Sequence, residues 1–325
     1  MRNIYFHIGF PKTATTFLQR GVFRDFNFLG NDSTVEGSRR LEHDIRNIIC
    51  EDTADAWKTP RGKEIAQRLL DLSDRKSDVY YSSEYWLRGP ATFFPANSKL
   101  KTPTSYTHMA LEHLEAFQEH AWNTNGKVRV MVTFRKQSNW LGSQYAQISN
   151  RRKTADQSDF EELMKLFLAD ESPHGRSFLD YRGLHRQLVE LLGKESVLFL
   201  PLEEVGTSLF WNRFEEWSGL EVPHQVEQTS SKTNVRRTAA GSWKTRPRNP
   251  VSGSKAVVVV DEYLRALGAS FKTKSVIKKI EKRIYGEGEV VMTPEIRGLI
   301  EDVYAPSNRK LEEELECNLS GHGYF

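Results

Sequence analysis

Along the chain, short apolar β-rich runs alternate with longer stretches in which apolar residues recur every three or four positions. The first run, Ile4-Tyr5-Phe6-His7-Ile8, passes through Gly9-Phe10-Pro11 into a segment whose Phe17, Leu18, Val22 and Phe23 share one helical side. Residues 27–60 are mixed and polar, with a turn at Gly30-Asn31-Asp32-Ser33 and no clear period until Leu41, and read as a connector. Ile65, Leu69, Leu70 and Leu72 then predict a helix over Arg61–Leu72, and Asp78–Leu87 reads as a second strand. Over Tyr106–Trp122 the pattern places Leu111, Leu114, Phe117 and Trp122 on one helical face, with His108, His113 and His120 expected at the surface. Val128–Arg135 is the strongest strand pattern, followed by a helical Ser138–Arg151.

Farther on, Ser158 to Glu161 reads as a capping box that opens a helix over residues 158–169, and Phe178–Leu192 is a helix closed by Gly193. The apolar run from Ser196 ends in Leu202-Glu203-Glu204, two carboxylates expected to be structural, before a helical Ser208–Trp217. Thr293-Pro294 has the form of a helix start, and Ser307–Cys317 reads as a separate last helix. Strands alternating with helices predict a parallel sheet, whose ligands lie outside the C-terminal strand ends. Glu84 stands at such an end.

The 325 residues, 38% of them hydrophobic, suffice for one sizeable α/β domain. A net charge of only +3 argues against a general nucleic-acid coat protein. Cys50 and Cys317, the two cysteines, form neither a disulfide framework nor a metal quartet, so a reducing, cytoplasmic setting is expected. No apolar run approaches the roughly 18 to 20 residues of a membrane span, and with the first strand starting almost at once no signal peptide is expected. No metal ligands stand at metal-binding spacing.

Candidate chemistry begins at the first strand-to-helix junction, Pro11-Lys12-Thr13-Ala14-Thr15-Thr16-Phe17. Backbone N–H groups of a first helical turn attract an oxyanion, to which Lys12 adds a full charge and Thr13, Thr15 and Thr16 add hydroxyls. A Walker A loop would carry a second glycine before the lysine, which is missing here. At the next junction Arg135 closes a strand and Ser143 follows on a helix, a guanidinium and a hydroxyl suited to a phosphate. From Lys232 to Lys255 the chain carries seven Lys or Arg and no Asp or Glu, including Arg236 and Arg237, and Lys272–Arg283 is a basic helical stretch.

These motifs resemble those of sulfotransferases that use 3′-phosphoadenosine 5′-phosphosulfate (PAPS). PKTATT is similar to the family's 5′-phosphosulfate loop, with Ala14 where a glycine is usual, and Arg135 with Ser143 resembles its 3′-phosphate signature, with Lys136-Gln137 in place of Asn-Pro. Arg236-Arg237 through Trp243-Lys244 resembles the late nucleotide lid, and Tyr304–Leu311 the closing helix of bacterial members. The resemblance implies an α/β fold with a P-loop-NTPase-like central parallel sheet flanked by helices, with additional C-terminal helices, in a single domain over 1–325 whose basic lid and helical insertion occupy 228–290. It further implies transfer of a sulfuryl group from PAPS to an acceptor, with adenosine 3′,5′-bisphosphate as product and no metal.

An acceptor hydroxyl needs a base facing the sulfur. Glu84 is the first candidate, resembling the glutamate of the carbohydrate-modifying branch, which points to a saccharide-like acceptor; His108 is the second, while His7, inside the first strand, reads as core or as support for the site. Two further classes remain open: a P-loop kinase-like phosphotransferase, and a noncatalytic nucleotide- or polyanion-binding module.

Overall fold

The structure is a computed structural model. It describes residues 2–13, 15–23, 28–29, 38–51, 53–73, 78–84, 86–87, 106–123, 126–152, 154–171, 175–222, 241–246 and 288–325. Five strands, β1 (Arg2–His7), β2 (Phe28–Leu29), β3 (Val79–Ser82), β4 (Gly126–Phe134) and β5 (Val197–Pro201), form one sheet in the order β2-β3-β1-β4-β5. Every pairing is parallel, with Phe6 level with Tyr81 on one side and with Val130 on the other. The fold is therefore α/β around a parallel sheet, and the strand that leads into the Lys12 loop is central.

The helices are α1 (Thr15–Gly21), α2 (Ser38–Glu51), α3 (Pro60–Ser73), α4 (Tyr106–Asn123), α5 (Gln137–Ile148), α6 (Gln157–Ala169), α7 (Tyr181–Leu192), α8 (Ser208–Ser218) and α9 (Pro294–Leu315). The chain divides into two compact units, Met1–Gln137 with Phe167–Val235 and Leu299–Phe325, and Ser138–Leu166 with Arg236–Gly298. The sheet belongs to the first.

A parallel sheet is covered on both faces, so its strands need apolar residues at successive positions rather than alternate ones. β1 meets this with Ile4, Tyr5 and Phe6, all buried. Tyr5 stacks on Tyr80 at 4.5 Å and joins Leu18, Val22 and Phe23 with Phe210, Trp211 and Phe214 of α8. On the opposite face Phe6 meets Tyr81, Trp86 and Phe117 edge to face. Each such ring contributes about 1.5 to 3 kcal/mol on burial.

The structure departs from several local expectations. The connector contains β2, α2 and a 3-10 turn, Ala54–Lys58, whose Trp57 is fully buried. The Trp57 Nε1–H donates to Nδ1 of His113 at 3.0 Å, so this histidine is core, not surface. Trp122, expected on the apolar face of α4, is instead 71% exposed at the helix end. α6 begins at Gln157, and its first turn is capped by Asp156, which accepts from the Asp159 N–H at 2.9 Å, in place of Ser158.

The C-terminal pair of helices is a single α9 that continues through Pro306. A proline inside a helix removes one backbone hydrogen bond and costs about 3 kcal/mol. Contacts on both sides of it offset that loss: the Tyr304 hydroxyl donates to the Arg176 carbonyl at 2.8 Å and the Ser307 hydroxyl to Asp180 at 2.6 Å. Asn308 and Gln137, both buried, exchange side-chain amide hydrogen bonds of 3.0 and 3.2 Å, and Leu311 is fully buried.

In the second unit β6 (Ser242–Lys244) and β7 (Glu289–Val291) pair antiparallel. Gln157 extends the edge of β7, donating to the Val291 carbonyl and accepting from its N–H. Trp243 lies so close to Gly142 of α5 that a Cβ there would come within 2.5 Å of the indole.

Candidate functional site

Because β3, β1 and β4 are parallel neighbours, the segments that follow them emerge along one edge of the sheet. Glu84 follows β3, the Gly9–Thr13 loop follows β1, and Arg135 follows β4. Ladder hydrogen bonds continue past the strands and hold the edge together: Ser83 N–H to the His7 carbonyl at 3.1 Å, and Phe10 N–H to the Thr133 carbonyl at 3.1 Å. A carboxylate, a lysine loop and a guanidinium are thereby placed side by side in one unit.

The loop is tightly specified. A Cβ on Gly9 would lie 2.3 Å from Thr133 Oγ1 and 2.9 Å from both His7 Nε2 and Thr13 Oγ1, so any side chain there would push these groups apart. Lys12 has φ of 69°, a left-handed conformation that costs a side-chain-bearing residue on the order of 1 kcal/mol. Thr13 Oγ1 donates to the Phe10 carbonyl at 2.5 Å and so clasps the two ends of the Pro11-Lys12 turn.

Beneath the loop runs a buried polar row. His7, 3% exposed, has Nδ1 2.8 Å from Ser82 Oγ and Nε2 2.9 Å from Thr133 Oγ1. Thr133 Oγ1 is in turn 2.9 Å from Thr13 Oγ1, and Gln19 Nε2 of α1 donates to the Ser82 carbonyl and hydroxyl at 3.0 and 3.1 Å. Burial lowers the His7 pKa to about 3, which keeps the ring neutral.

Of the loop residues, Lys12 and Thr16 are exposed and Pro11 is half-buried, while Ala14 lies outside the described residues. The Thr13 hydroxyl differs from expectation, since its hydrogen is used inside the loop. Thr15 is buried, and its hydroxyl has no hydrogen-bond partner among the described residues, a donor that a bound oxyanion would satisfy. Phe17 packs toward Trp211 at the rim of the core. α1 has only seven residues, so its dipole is a smaller contribution than the Lys12 charge.

Arg135 is half-buried, and its turn is pinned from both sides. Its carbonyl accepts from the Tyr181 hydroxyl at 2.7 Å, and the Lys136 N–H donates to Glu203 at 3.1 Å. Glu203 also accepts from Tyr324 at 2.8 Å, and buried Glu204 lies 3.6 Å from Arg213, so both carboxylates serve packing. Ser143 stands half-buried on α5 in the second unit. Arg236, Arg237 and the basic stretch 272–283 lie outside the described residues.

Glu84 is exposed at its strand end. His108, near the start of α4, is exposed with Nε2 3.2 Å from Glu112. Phe117 meets Phe6 at 5.1 Å and His113 meets Trp86 at 6.5 Å, so α4 runs with its N-terminal end toward the edge that carries Glu84. Among the described residues no group of His, Cys, Asp or Glu could hold a metal ion, and no helix is long and apolar enough to cross a membrane.

Sequence reasoning missed Thr133 and Gln19 as parts of the site, and it read Ser82 as a neighbour of Glu84 suited to holding an acceptor hydroxyl, where the structure sets it against His7. A signal was available for two of them: Ser82 ends the buried run Val79-Tyr80-Tyr81, and Thr133 follows the buried run Val130-Met131-Val132. Chemically, the edge offers a cation and hydroxyls for an oxyanion, a guanidinium for a second phosphate and a solvent-accessible carboxylate for a proton.

No protein-family model and no curated protein matches the chain. Among solved structures it is similar to a sulfotransferase from Alicyclobacillus acidocaldarius, at 12% identity and a TM-score of 0.47, over 99% of this chain and 98% of that one.

Proposed function

We propose that this chain is a PAPS-dependent sulfotransferase that moves a sulfuryl group to an acceptor hydroxyl. The observation that carries the reading is that Lys12, in a PKTATT loop beyond the central strand, stands between the segments following the two flanking strands, which carry Glu84 and Arg135. Bound there, PAPS would supply the activated sulfuryl group. Lys12 and the Thr15 and Thr16 hydroxyls would hold the 5′-phosphosulfate and neutralise charge on the leaving phosphate as its S–O bond breaks. Arg135 would fork onto the 3′-phosphate, and Glu84 would take the acceptor proton as the new S–O bond forms in line. His108 is the second candidate for that proton.

Ser143, Arg236 and Arg237 enter this reading through the motif resemblance, as do a single functional domain over 1–325 with 228–290 as its lid and a saccharide-like acceptor. A cytoplasmic location belongs to the same reading, from the sparse cysteines. Calorimetry with adenosine 3′,5′-bisphosphate against ADP and ATP tests it. Binding of the 3′,5′-bisphosphate in preference to both supports the proposal; preference for ATP turns it toward a phosphotransferase.

A further inference from the structure

We infer that His7 is a positioning residue, whose Nε2–H clamps the loop and holds Lys12 in its left-handed turn. Both ends of the polar row have fixed roles. The Gln19 amide nitrogen can only donate, and the Phe10 carbonyl can only accept. Since the one Thr13 hydroxyl hydrogen goes to Phe10, Thr133 must donate to Thr13, and the Thr133 oxygen must then accept from His7 Nε2–H. The buried ring is neutral, so with its hydrogen on Nε2 the Nδ1 is bare and accepts from the Ser82 hydroxyl, whose oxygen in turn accepts from Gln19. Every hydroxyl hydrogen is used once, and all five bonds point the same way, from α1 through three strands into the loop.

The row ends where the strain is. Thr13 and Phe10 flank Pro11-Lys12, and Gly9 is packed against Thr133 Oγ1, His7 Nε2 and Thr13 Oγ1. Removing the Nε2–H leaves Thr133 free to turn its hydrogen toward the ring and releases Thr13, so the left-handed Lys12 loses its clasp. His7 is buried beneath the loop, and it acts through Lys12.

The inference rests on reading the loop as the oxyanion site, and two measurements separate the two. In the full chain labelled with 15N-histidine, long-range proton–nitrogen correlation without ligand should show His7 as the Nε2–H tautomer at pH 7, the signal assigned by its loss in His7→Gln. An Nδ1–H or doubly protonated ring overturns the relay. Calorimetry with adenosine 3′,5′-bisphosphate then gives a double-mutant cycle. His7→Leu should weaken binding about tenfold in the wild-type background. The same change should weaken it less than about twofold in Lys12→Ala. His7→Gln, whose amide N–H can reach Thr133, should recover most of the affinity. Equal losses in both backgrounds would show a general structural role and overturn the inference. If His7→Leu does not fold, Thr133→Val interrupts the same row with little change of shape, and the same cycle decides. A wild-type chain without affinity for the nucleotide overturns the sulfuryl-transfer reading and the ligand-binding role of His7, while the tautomer still decides whether the relay exists.

Discussion

Tyr181 donates its hydroxyl hydrogen to the backbone carbonyl of Arg135 across 2.7 Å, fixing the residue that follows β4 from the start of α7. Burial raises this phenol well above its ordinary pKa, so it stays a donor at any physiological pH. Tyr181→Phe should cost about 1 to 2 kcal/mol in urea unfolding. It should weaken adenosine 3′,5′-bisphosphate binding by less than Arg135→Ala, for which the loss should be roughly 10- to 150-fold. Unchanged affinity in Arg135→Ala would remove Arg135 from the nucleotide site.

Gly9→Ala places a methyl group where Thr133, His7 and Thr13 already meet. Overpacking of this kind costs about 1 to 3 kcal/mol. The variant should unfold at lower denaturant and lose nucleotide affinity together. Full stability with full affinity would show that the loop tolerates a side chain at this point.

Glu84 is exposed, so Glu84→Gln should change stability by less than about 0.5 kcal/mol. As the base it should lower kcat by about 100- to 10,000-fold with nucleotide affinity nearly unchanged. Should Glu84→Gln turn over normally while His108→Ala does not, the proton goes to the histidine and the saccharide-like acceptor loses its support.

His7 titrates near 3 in the folded chain and near its ordinary 6.5 when unfolded. Between these values the unfolded state binds more protons, so stability rises with pH through that window and is lost as pH falls through it. The slope approaches about 1.4 kcal/mol per pH unit from this one group. Wild type should therefore lose stability more steeply than His7→Gln between pH 6 and pH 4, measured by denaturant midpoints. Parallel curves would mean that His7 charges without penalty.

In the proposed reaction the charge on the leaving phosphate is met by Lys12, Thr15 and Thr16, so turnover should be unchanged in EDTA. Activity lost on chelation and restored by magnesium would favour a phosphotransferase.

Much of the architecture was legible because local pattern and tertiary environment agree there. β1, β4 and α3 have the burial period of their elements, and Gly193 closes α7 in the left-handed half of φ space as a glycine at a helix end does. The place of the Lys12 loop between β1 and α1, and of Arg135 just beyond β4, was legible too, since apolar runs there give way to turn and helix patterns.

What only the tertiary structure decided depends on residues far apart in sequence. Trp57 and His113 are core because they meet across 56 positions, and α9 continues through Pro306 because Tyr304, Ser307 and Asn308 are anchored elsewhere in the first unit. The Thr13 hydroxyl faces inward because Thr133 stands beside it, 120 positions later. No local period could show that Gln19, Ser82, His7, Thr133 and Thr13 form one row. Strand order and register bring them together, and the buried hydrogens they share then leave a single consistent direction.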